Sequence, residues 1–120
     1  MNPKISVITV CLNSEKTIER TVQSLLSQTY TAIEYIVIDG GSKDKTKDIL
    51  ETYKEDIDIL ISEKDNGLYD ALNKGISMST GDIIGILHSD DIFEHEEVLS
   101  KIAKTMSENE TDICFSDTLI

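Results

Sequence analysis

The sequence predicts an α/β fold in which a mostly parallel sheet is held between helices. Short runs rich in β-branched residues alternate with segments whose apolar residues recur at helical spacing, throughout the 120 residues. The strand-like runs are almost continuously apolar, which is typical of strands covered on both faces. At this length, with 39% hydrophobic residues and no linker or repeat, a single domain over residues 1–120 is expected.

The strands are predicted by their apolar runs, each of which ends at polar or glycine residues. The first run is followed by Cys11. The second leads directly into Asp39-Gly40-Gly41-Ser42, whose glycines permit a sharp turn with positive φ. The expected strands are, in chain order, 5–10, 35–38, 57–61, 83–87 and one that begins at 113–115.

Each of the first four strands is followed by a predicted helix, recognised by apolar residues that recur every three or four positions. Ser14 is expected to cap the first helix, which should stop near Gln28. Gly81 is expected to close the third helix. The apolar residues of the expected helices lie within 18–26, 49–53, 68–76 and 98–106.

The composition excludes several classes of function. A formal net charge of -12 would repel a polyanion, so nucleic acid is not an expected partner. The first residues lack the pattern of a signal peptide, and the longest apolar run, 83–87, is too short to span a bilayer. Cys11 and Cys114 have no metal-ligand spacing and are expected to be buried thiols. A cytoplasmic protein is expected, with peripheral attachment to the inner membrane face as the alternative.

Candidate site residues follow the strands, because open parallel sheets bind ligands at the carboxyl ends of their strands. The most prominent group is His88-Ser89-Asp90-Asp91, after the fourth strand. Carboxylates recur along this edge and would repel one another without a cation. Mg²⁺ and Mn²⁺ prefer oxygen ligands, and Mg²⁺ is often held by one or two carboxylates together with nucleotide phosphates. A metal with a diphosphate is therefore predicted near Asp39, Asp65, Asp90, Asp91 and Asp117.

The same residues have other interpretations. Asp90 and Asp91 could cap the next helix, and Asp39 could simply stabilise a turn. His88, Ser89 and Asp90 are the residue types of a hydrolytic triad, but triad members converge from separate loops and the Gly-X-Ser-X-Gly motif is missing. Adjacent carboxylates also do not suit a glycosidase. His88 is either a hydrogen-bonded strand-end histidine or a ligand for a metal such as Mn²⁺.

Four segments, in this order, resemble the amino-terminal half of the family 2 glycosyltransferases, which have the GT-A fold. Each segment alone is a modest signal, but each lies on the element that the apolar pattern assigns to it. The resemblance covers essentially the whole chain. The four segments are 6–13, 36–46, 73–75 and 81–91.

The resemblance implies an inverting, metal-dependent enzyme that transfers a sugar from a nucleotide-diphosphate donor, most often a UDP-sugar, to an acceptor hydroxyl. The acceptor would be a glycan or a lipid-linked sugar, and the cofactor Mn²⁺ or Mg²⁺. Asp90 would be the main metal ligand, with His88 as a second candidate. Asp39 would accept a hydrogen bond from the nucleobase. The other implied substrate-binding residues are Val10, Leu12, Asn13, Lys74, His88 and Asp91, with Lys16 and Lys64 as further candidates for phosphate contacts.

The chain departs from the family pattern at three places. His88 replaces the usual first aspartate of the metal motif, and Leu12 replaces an aromatic residue that commonly stacks on the base. The family's catalytic base and acceptor-binding segments lie well beyond the metal motif. A truncated fold is therefore expected, with its base beyond Ile120, so no catalytic residue is identified.

These departures leave a second hypothesis open, a catalytically incomplete domain that binds a nucleotide or nucleotide sugar without turnover. A phosphoacceptor receiver domain is disfavoured, because that fold needs an acidic pair after the first strand and this chain has Cys11, Leu12 and Asn13 there. A truncated sheet would expose apolar surface, so self-association into a homo-oligomer is expected.

Overall fold

The computed structural model describes residues 3–109 and 113–115, of which 106–109 and 113–115 are described by their backbone alone. The strands are β1 Ile5–Cys11, β2 Ile33–Asp39, β3 Ile59–Ser62, β4 Ile83–Ile86 and β5 Ile113–Phe115. The helices are α1 Ile18–Leu26, α2 Thr46–Thr52, α3 Leu68–Met78 and α4 Val98–Asn109, with a 3₁₀ turn at Lys54–Asp56. All strand pairs are parallel, in the order β3-β2-β1-β4-β5. The α/β prediction is confirmed.

The sheet lies between two helical layers because both of its faces are apolar. Successive residues of β1 point to opposite faces, so Val7 and Ile8 belong to different clusters of the core. The Val7 face is covered by α1, α2 and α4, through residues such as Val22 and Leu50. The Ile8 face is covered by α3, through Ala71. This double coverage explains why the strands are apolar almost without alternation.

Helix α3 approaches β1 closely at Gly75. A Cβ at this position would lie 2.6 Å from Cγ2 of Ile8, so a glycine is needed for the contact. The helix therefore turns its small residues towards the sheet. The apolar spacing of this helix did not specify which residues face the sheet, and Leu68 and Ile76 are 50% and 43% exposed.

The strand order creates a cleft at one edge of the sheet. From the central strand β1 the chain proceeds to β2 and β3 on one side and then crosses to β4 and β5 on the other. The loops after β1 and β4 therefore leave in opposite directions, and such a point in a parallel sheet is where ligands bind. The register aligns Cys11 with Asp39, and Asp39 with Ser62, so three strand ends meet beside this cleft.

Local details differ from the sequence predictions near α1. Ser14 does not cap the helix through its side chain; its carbonyl oxygen accepts hydrogen bonds from the amides of Thr17 and Ile18 in a turn before the helix. The side chains of Met106 and Cys114, and both Ser116 and Asp117, lie outside the described residues. None of the described helices combines the length and apolar character needed to cross a membrane.

Candidate functional site

A cleft of about 740 Å³ lies at the carboxyl ends of β1 and β4. Its walls come from the end of β1, the turn before α1, the start of α3 and the segment after β4. The structure thus brings together the strand-end residues that the sequence singled out as neighbours. The predicted site residues that line this cleft are Val10, Leu12, Asn13, Lys16, Asp65, His88 and Asp90.

The lining of the cleft is acidic. Lys16 is the only lysine or arginine among the lining residues, whereas the carboxylates there are Glu15, Asp44, Asp65 and Asp90. An unaccompanied diphosphate would be repelled by this excess of negative charge. A divalent cation bound with the diphosphate would remove the repulsion.

Asp39 is fully buried beside the cleft, at the end of β2. Its Oδ2 atom accepts hydrogen bonds from the Ser42 amide at 3.1 Å and from the Ser62 hydroxyl at 2.7 Å. Its Oδ1 atom accepts one from the Ser42 hydroxyl and lies 3.6 Å from Sγ of Cys11. All four acceptor positions of the carboxylate are therefore directed at protein donors. A base could bond to Asp39 only after one of these donors had moved, so the implied base contact stays a prediction.

Cys11 is a buried donor rather than a reactive thiol. Burial raises the pKa of Cys11, and the neighbouring Asp39 carboxylate raises the pKa further. The thiol therefore keeps its proton at neutral pH, as expected for an inert buried cysteine. Since only a thiolate binds a metal or attacks a substrate, Cys11 takes neither role here.

The turn after β2 needs its two glycines for different reasons. Gly41 has φ +89°, a conformation that residues with a side chain rarely adopt, as the sequence predicted. Gly40 makes room for a neighbour: a Cβ there would lie 2.8 Å from Oδ2 of Asp65. The absent side chain at position 40 thus allows Asp65, a cleft residue, to lie directly against the turn.

Asn13 holds the loop after β1 in a left-handed backbone conformation, with φ 50°. Its amide donates a hydrogen bond to the Ser42 hydroxyl, and its side-chain oxygen accepts one from the Lys43 amide, each at 2.8 Å. Asparagine tolerates this conformation better than most residues. Asn13 therefore joins the loops after β1 and β2 at the rim of the cleft.

We expect Asn13→Ala to destabilise the chain by about 1–2 kcal/mol, because it removes the bond to Lys43 and keeps a strained backbone. Asn13→Gly loses the same bond but relieves the strain, so it should be more stable than Asn13→Ala by about 1 kcal/mol. Urea unfolding followed by circular dichroism measures both values. Equal stabilities for the two variants would contradict the inference that the left-handed backbone at residue 13 is strained in Asn13→Ala.

The segment after β4 carries Asp90 at an exposed position in the cleft. The Ser89 hydroxyl accepts a hydrogen bond from the Ser14 hydroxyl at 3.0 Å, which joins this segment to the loop after β1. Asp91 does not line the cleft, and its Oδ2 atom is buried without a hydrogen-bond partner among the described residues. A buried carboxylate oxygen of this kind is one that a nearby cation or ligand donor would stabilise.

Two of the lysines considered for phosphate contacts lie outside the cleft lining. The ammonium group of Lys74 lies 3.1 Å from Glu63 and 3.6 Å from Asp70, and its bond to Glu63 raises the pKa of Lys74. Lys64 packs its backbone against Gly41. The implied contact between Lys74 and a substrate stays a prediction, and it would require these ion pairs to break.

The donor atoms present fit a metal shared with a ligand, not one enclosed by protein. Over residues 3–109 and 113–115, no three histidine, cysteine, aspartate or glutamate side chains form a group that could hold a metal ion. Asp90 and His88 nevertheless line the same wall of the cleft. One or two protein ligands suffice where phosphate oxygens complete the coordination of Mg²⁺. Of the carboxylates predicted to gather at this edge, no three among those in the described ranges converge on one point.

Sequence reasoning missed one set of residues beside this site. The body of helix α1 was predicted from its apolar residues, but Thr21, Ser24 and Gln28 lie beside that apolar face and bond the segment after β4. Their spacing of three and four positions was the available signal, since it places polar groups along one line of a helix. Gln28 follows the helix at its carboxyl end.

Comparisons with known proteins agree with this geometry. The family model for glycosyl transferase family 2 matches residues 6–118. An uncharacterized glycosyltransferase of Mycobacterium tuberculosis is 40% identical over 106 residues, which cover 88% of this chain and 40% of the relative. The chain therefore spans less than half the length of the curated relatives it matches.

Two solved structures resemble the fold closely. One is TarS of S. aureus in complex with UDP-GlcNAc, with a TM-score of 0.81 and 28% identity over 89% of this chain and 32% of the other. The second is the mannosyltransferase PcManGT of Pyrobaculum calidifontis in complex with GDP-Man and Mn²⁺. Its TM-score is 0.82, with 25% identity over 89% of this chain and 33% of the other.

Proposed function

This chain belongs to glycosyl transferase family 2 and has the GT-A fold, and on that premise we propose that it binds the nucleotide-sugar donor of a sugar transfer. The observation that carries the proposal is the acidic cleft between the diverging loops that follow β1 and β4. Asp90 is exposed in the wall of this cleft. Residues 1–120 would then act as one donor-binding domain of the transferase.

The donor is proposed to be a UDP-sugar held together with Mn²⁺ or Mg²⁺. TarS binds UDP-GlcNAc and PcManGT binds GDP-Man with Mn²⁺, which supports a nucleotide sugar and a divalent metal in this fold. The charge of the cleft supports the same pairing, because four lining carboxylates would otherwise oppose the diphosphate. A bound metal would stabilise the charge that grows on the leaving nucleoside diphosphate.

Different cleft residues would contact different parts of the donor. Asp90 would bind the metal and His88 would lie next to it, as a ligand or as a hydrogen-bonding partner of the sugar nucleotide. Leu12 is 57% exposed and would contact the base from the loop after β1. Lys16 is the lysine in the cleft lining and is therefore better situated for a phosphate than Lys74, which is ion-paired.

The transfer itself would invert the sugar. An acceptor hydroxyl, on a glycan or a lipid-linked sugar, would attack the anomeric carbon from the face opposite the diphosphate. The bond to the diphosphate breaks as the new bond forms, and the hydroxyl proton goes to a base.

Self-association of the chain stays a separate prediction, which sedimentation would test.

Thermal unfolding with nucleotides tests donor binding directly. UDP with Mn²⁺ is expected to raise the melting temperature, since a ligand at 100 times its Kd adds about 2.7 kcal/mol to the stability of the folded state. GDP with Mn²⁺ should have a smaller effect, and EDTA should remove the rise. If no nucleoside diphosphate stabilised the chain, with or without metal, the proposal would be wrong. Release of labelled sugar from a nucleotide-sugar panel would then separate a transferase from a protein that only binds.

A further inference from the structure

Helix α1 has a polar stripe directed at the segment between β4 and α4. This connection, residues 87–97, contains neither helix nor strand, yet it carries Asp90. The stripe consists of Thr21, Ser24 and Gln28. Thr21 is 0% exposed and Gln28 is 9% exposed, so their polar groups are buried against the segment.

The hydrogen bonds of the stripe reach alternate residues of the connection. The Thr21 hydroxyl lies 2.9 Å from the carbonyl oxygen of Ser89 and 2.7 Å from that of Asp91. The Phe93 amide donates to the Ser24 hydroxyl at 3.2 Å. The bonded residues extend from Ser89 to Phe93, so this part of the connection lies along α1.

Gln28 continues the same pattern at the end of the helix. Its amide nitrogen donates to the His95 carbonyl oxygen at 2.8 Å, and its side-chain oxygen accepts from the Leu99 amide at 2.9 Å. Thr29 adds a backbone bond, from its amide to the Glu96 carbonyl oxygen at 2.8 Å. The connection is thus fixed by α1 from its beginning to the first turn of α4.

Thr21 occupies the decisive position, because its two carbonyl partners belong to the residues on either side of Asp90. The Thr21 hydroxyl has one hydrogen, which the two carbonyl oxygens share. This shared bond limits the rotation of the backbone between Ser89 and Asp91, and so fixes the direction of the Asp90 side chain. Within the connection, the Asp91 amide also donates to the His88 carbonyl oxygen at 3.0 Å, which closes a turn around the same residue.

We propose that Thr21 is a positioning residue for the metal and diphosphate site: its hydroxyl holds the loop so that Asp90 points into the cleft. This inference rests on the proposed donor binding, because it assigns the metal to Asp90. Thr21 does not line the cleft, so it would touch neither metal nor donor. Groups that orient a metal ligand in this way typically change metal affinity by about 10–100-fold when they are removed.

Three variants of the 120-residue chain test the proposal. Thr21→Val keeps the shape of the side chain and removes the hydroxyl. Thr21→Ser keeps the hydroxyl and removes a buried methyl group. Thr52→Val is the matched control. Within the part of the chain that the structure describes, the Thr52 hydroxyl bonds only the Asp48 carbonyl oxygen of its own helix, at 3.2 Å and at an exposed position.

Calorimetry would measure the Mn²⁺ concentration that gives half-maximal UDP binding. Thr21→Val is expected to raise it about 10-fold. The value for Thr21→Ser should stay close to that of the unmodified chain, although this variant loses a buried methyl group. The ranking of the variants by metal affinity should therefore differ from their ranking by stability. Thr52→Val should leave the value unchanged. The proposal is overturned if Thr21→Val binds as the unmodified chain does, or if Thr21→Ser loses as much affinity as Thr21→Val.

Hydrogen exchange of the free chain gives a second readout that needs no ligand. Thr21→Val should speed exchange of the Asp91 and Phe93 amides, whereas Thr21→Ser and Thr52→Val should not. If the unmodified chain bound no UDP, the donor-binding proposal would fail, while exchange would still decide whether Thr21 holds the loop. Unchanged exchange in Thr21→Val would overturn that role.

Discussion

Asp39→Ala is expected to destabilise the chain by about 3 kcal/mol, the largest loss of stability among the changes considered. The carboxylate is fully buried and receives hydrogen bonds from the Ser42 amide, the Ser42 hydroxyl and the Ser62 hydroxyl. Alanine leaves these donors facing a small cavity. A buried donor without a partner costs more than the net value of a hydrogen bond, and bonds to carboxylates are stronger than neutral ones.

Thermal and urea unfolding measure this loss, which corresponds to a fall of about 10 °C or more in the melting temperature for a chain of this size. Ser62→Ala is the matched control. It removes one of the three donors and keeps the carboxylate, so its cost should be about 1 kcal/mol. If Asp39→Ala cost no more than Ser62→Ala, Asp39 would not join the strand ends as the structure indicates.

The consequence of Asp39→Ala should extend to the rim of the cleft. Ser42 bonds Asp39 and also accepts the hydrogen bond from the Asn13 amide. Loss of the carboxylate therefore releases the turn after β2 and, through it, the loop after β1. This explains how a buried residue with no surface in the cleft would still affect donor binding.

The sequence was sufficient to predict the strands, the helices and the position of the cleft, since all of these follow from the spacing of apolar residues. Apolar runs and helical spacing locate the strands and helices, and parallel strands bring the residues that follow them to one edge. Asn13, His88 and Asp90 come together in the structure for this reason. The spacing of Thr21, Ser24 and Gln28 is visible in the sequence, but their partners lie 67 to 71 residues away, and no local pattern identifies those partners.

Two other features could not be predicted from the sequence, for equally physical reasons. The exposure of Leu68 and Ile76 is one, because apolar spacing alone cannot tell which side of a helix faces a sheet. The close approach of α3 to β1 at Gly75 determines which side of the helix faces the sheet, and a glycine carries no apolar signal. For Asp39 the sequence left two interpretations, a turn residue and a base contact, because sequence position does not reveal which way a strand-end side chain points. The structure shows hydrogen bonds from Ser42 and Ser62, and the base contact stays a prediction.

Asp90→Asn is expected to remove most of the rise in melting temperature that UDP with Mn²⁺ produces. Asparagine keeps the size of the side chain but loses the negative charge that a hard cation prefers. We expect the affinity for UDP in the presence of Mn²⁺ to fall on the order of 100-fold, equal to about 2.7 kcal/mol. Because Asp90 is exposed, the stability of the free chain should change by less than about 0.5 kcal/mol.

Asp56→Asn supplies the control for the change of charge, since Asp56 is exposed in the 3₁₀ turn after α2 and does not line the cleft. It should bind UDP with Mn²⁺ as the unmodified chain does. A comparison without metal sharpens the test: if Asp90 acts by holding a cation, Asp90→Asn should not weaken UDP binding in EDTA. The reduced negative charge of the cleft should instead favour the diphosphate slightly. Equal losses with and without Mn²⁺ would mean that Asp90 contacts the nucleotide directly and is not the metal ligand.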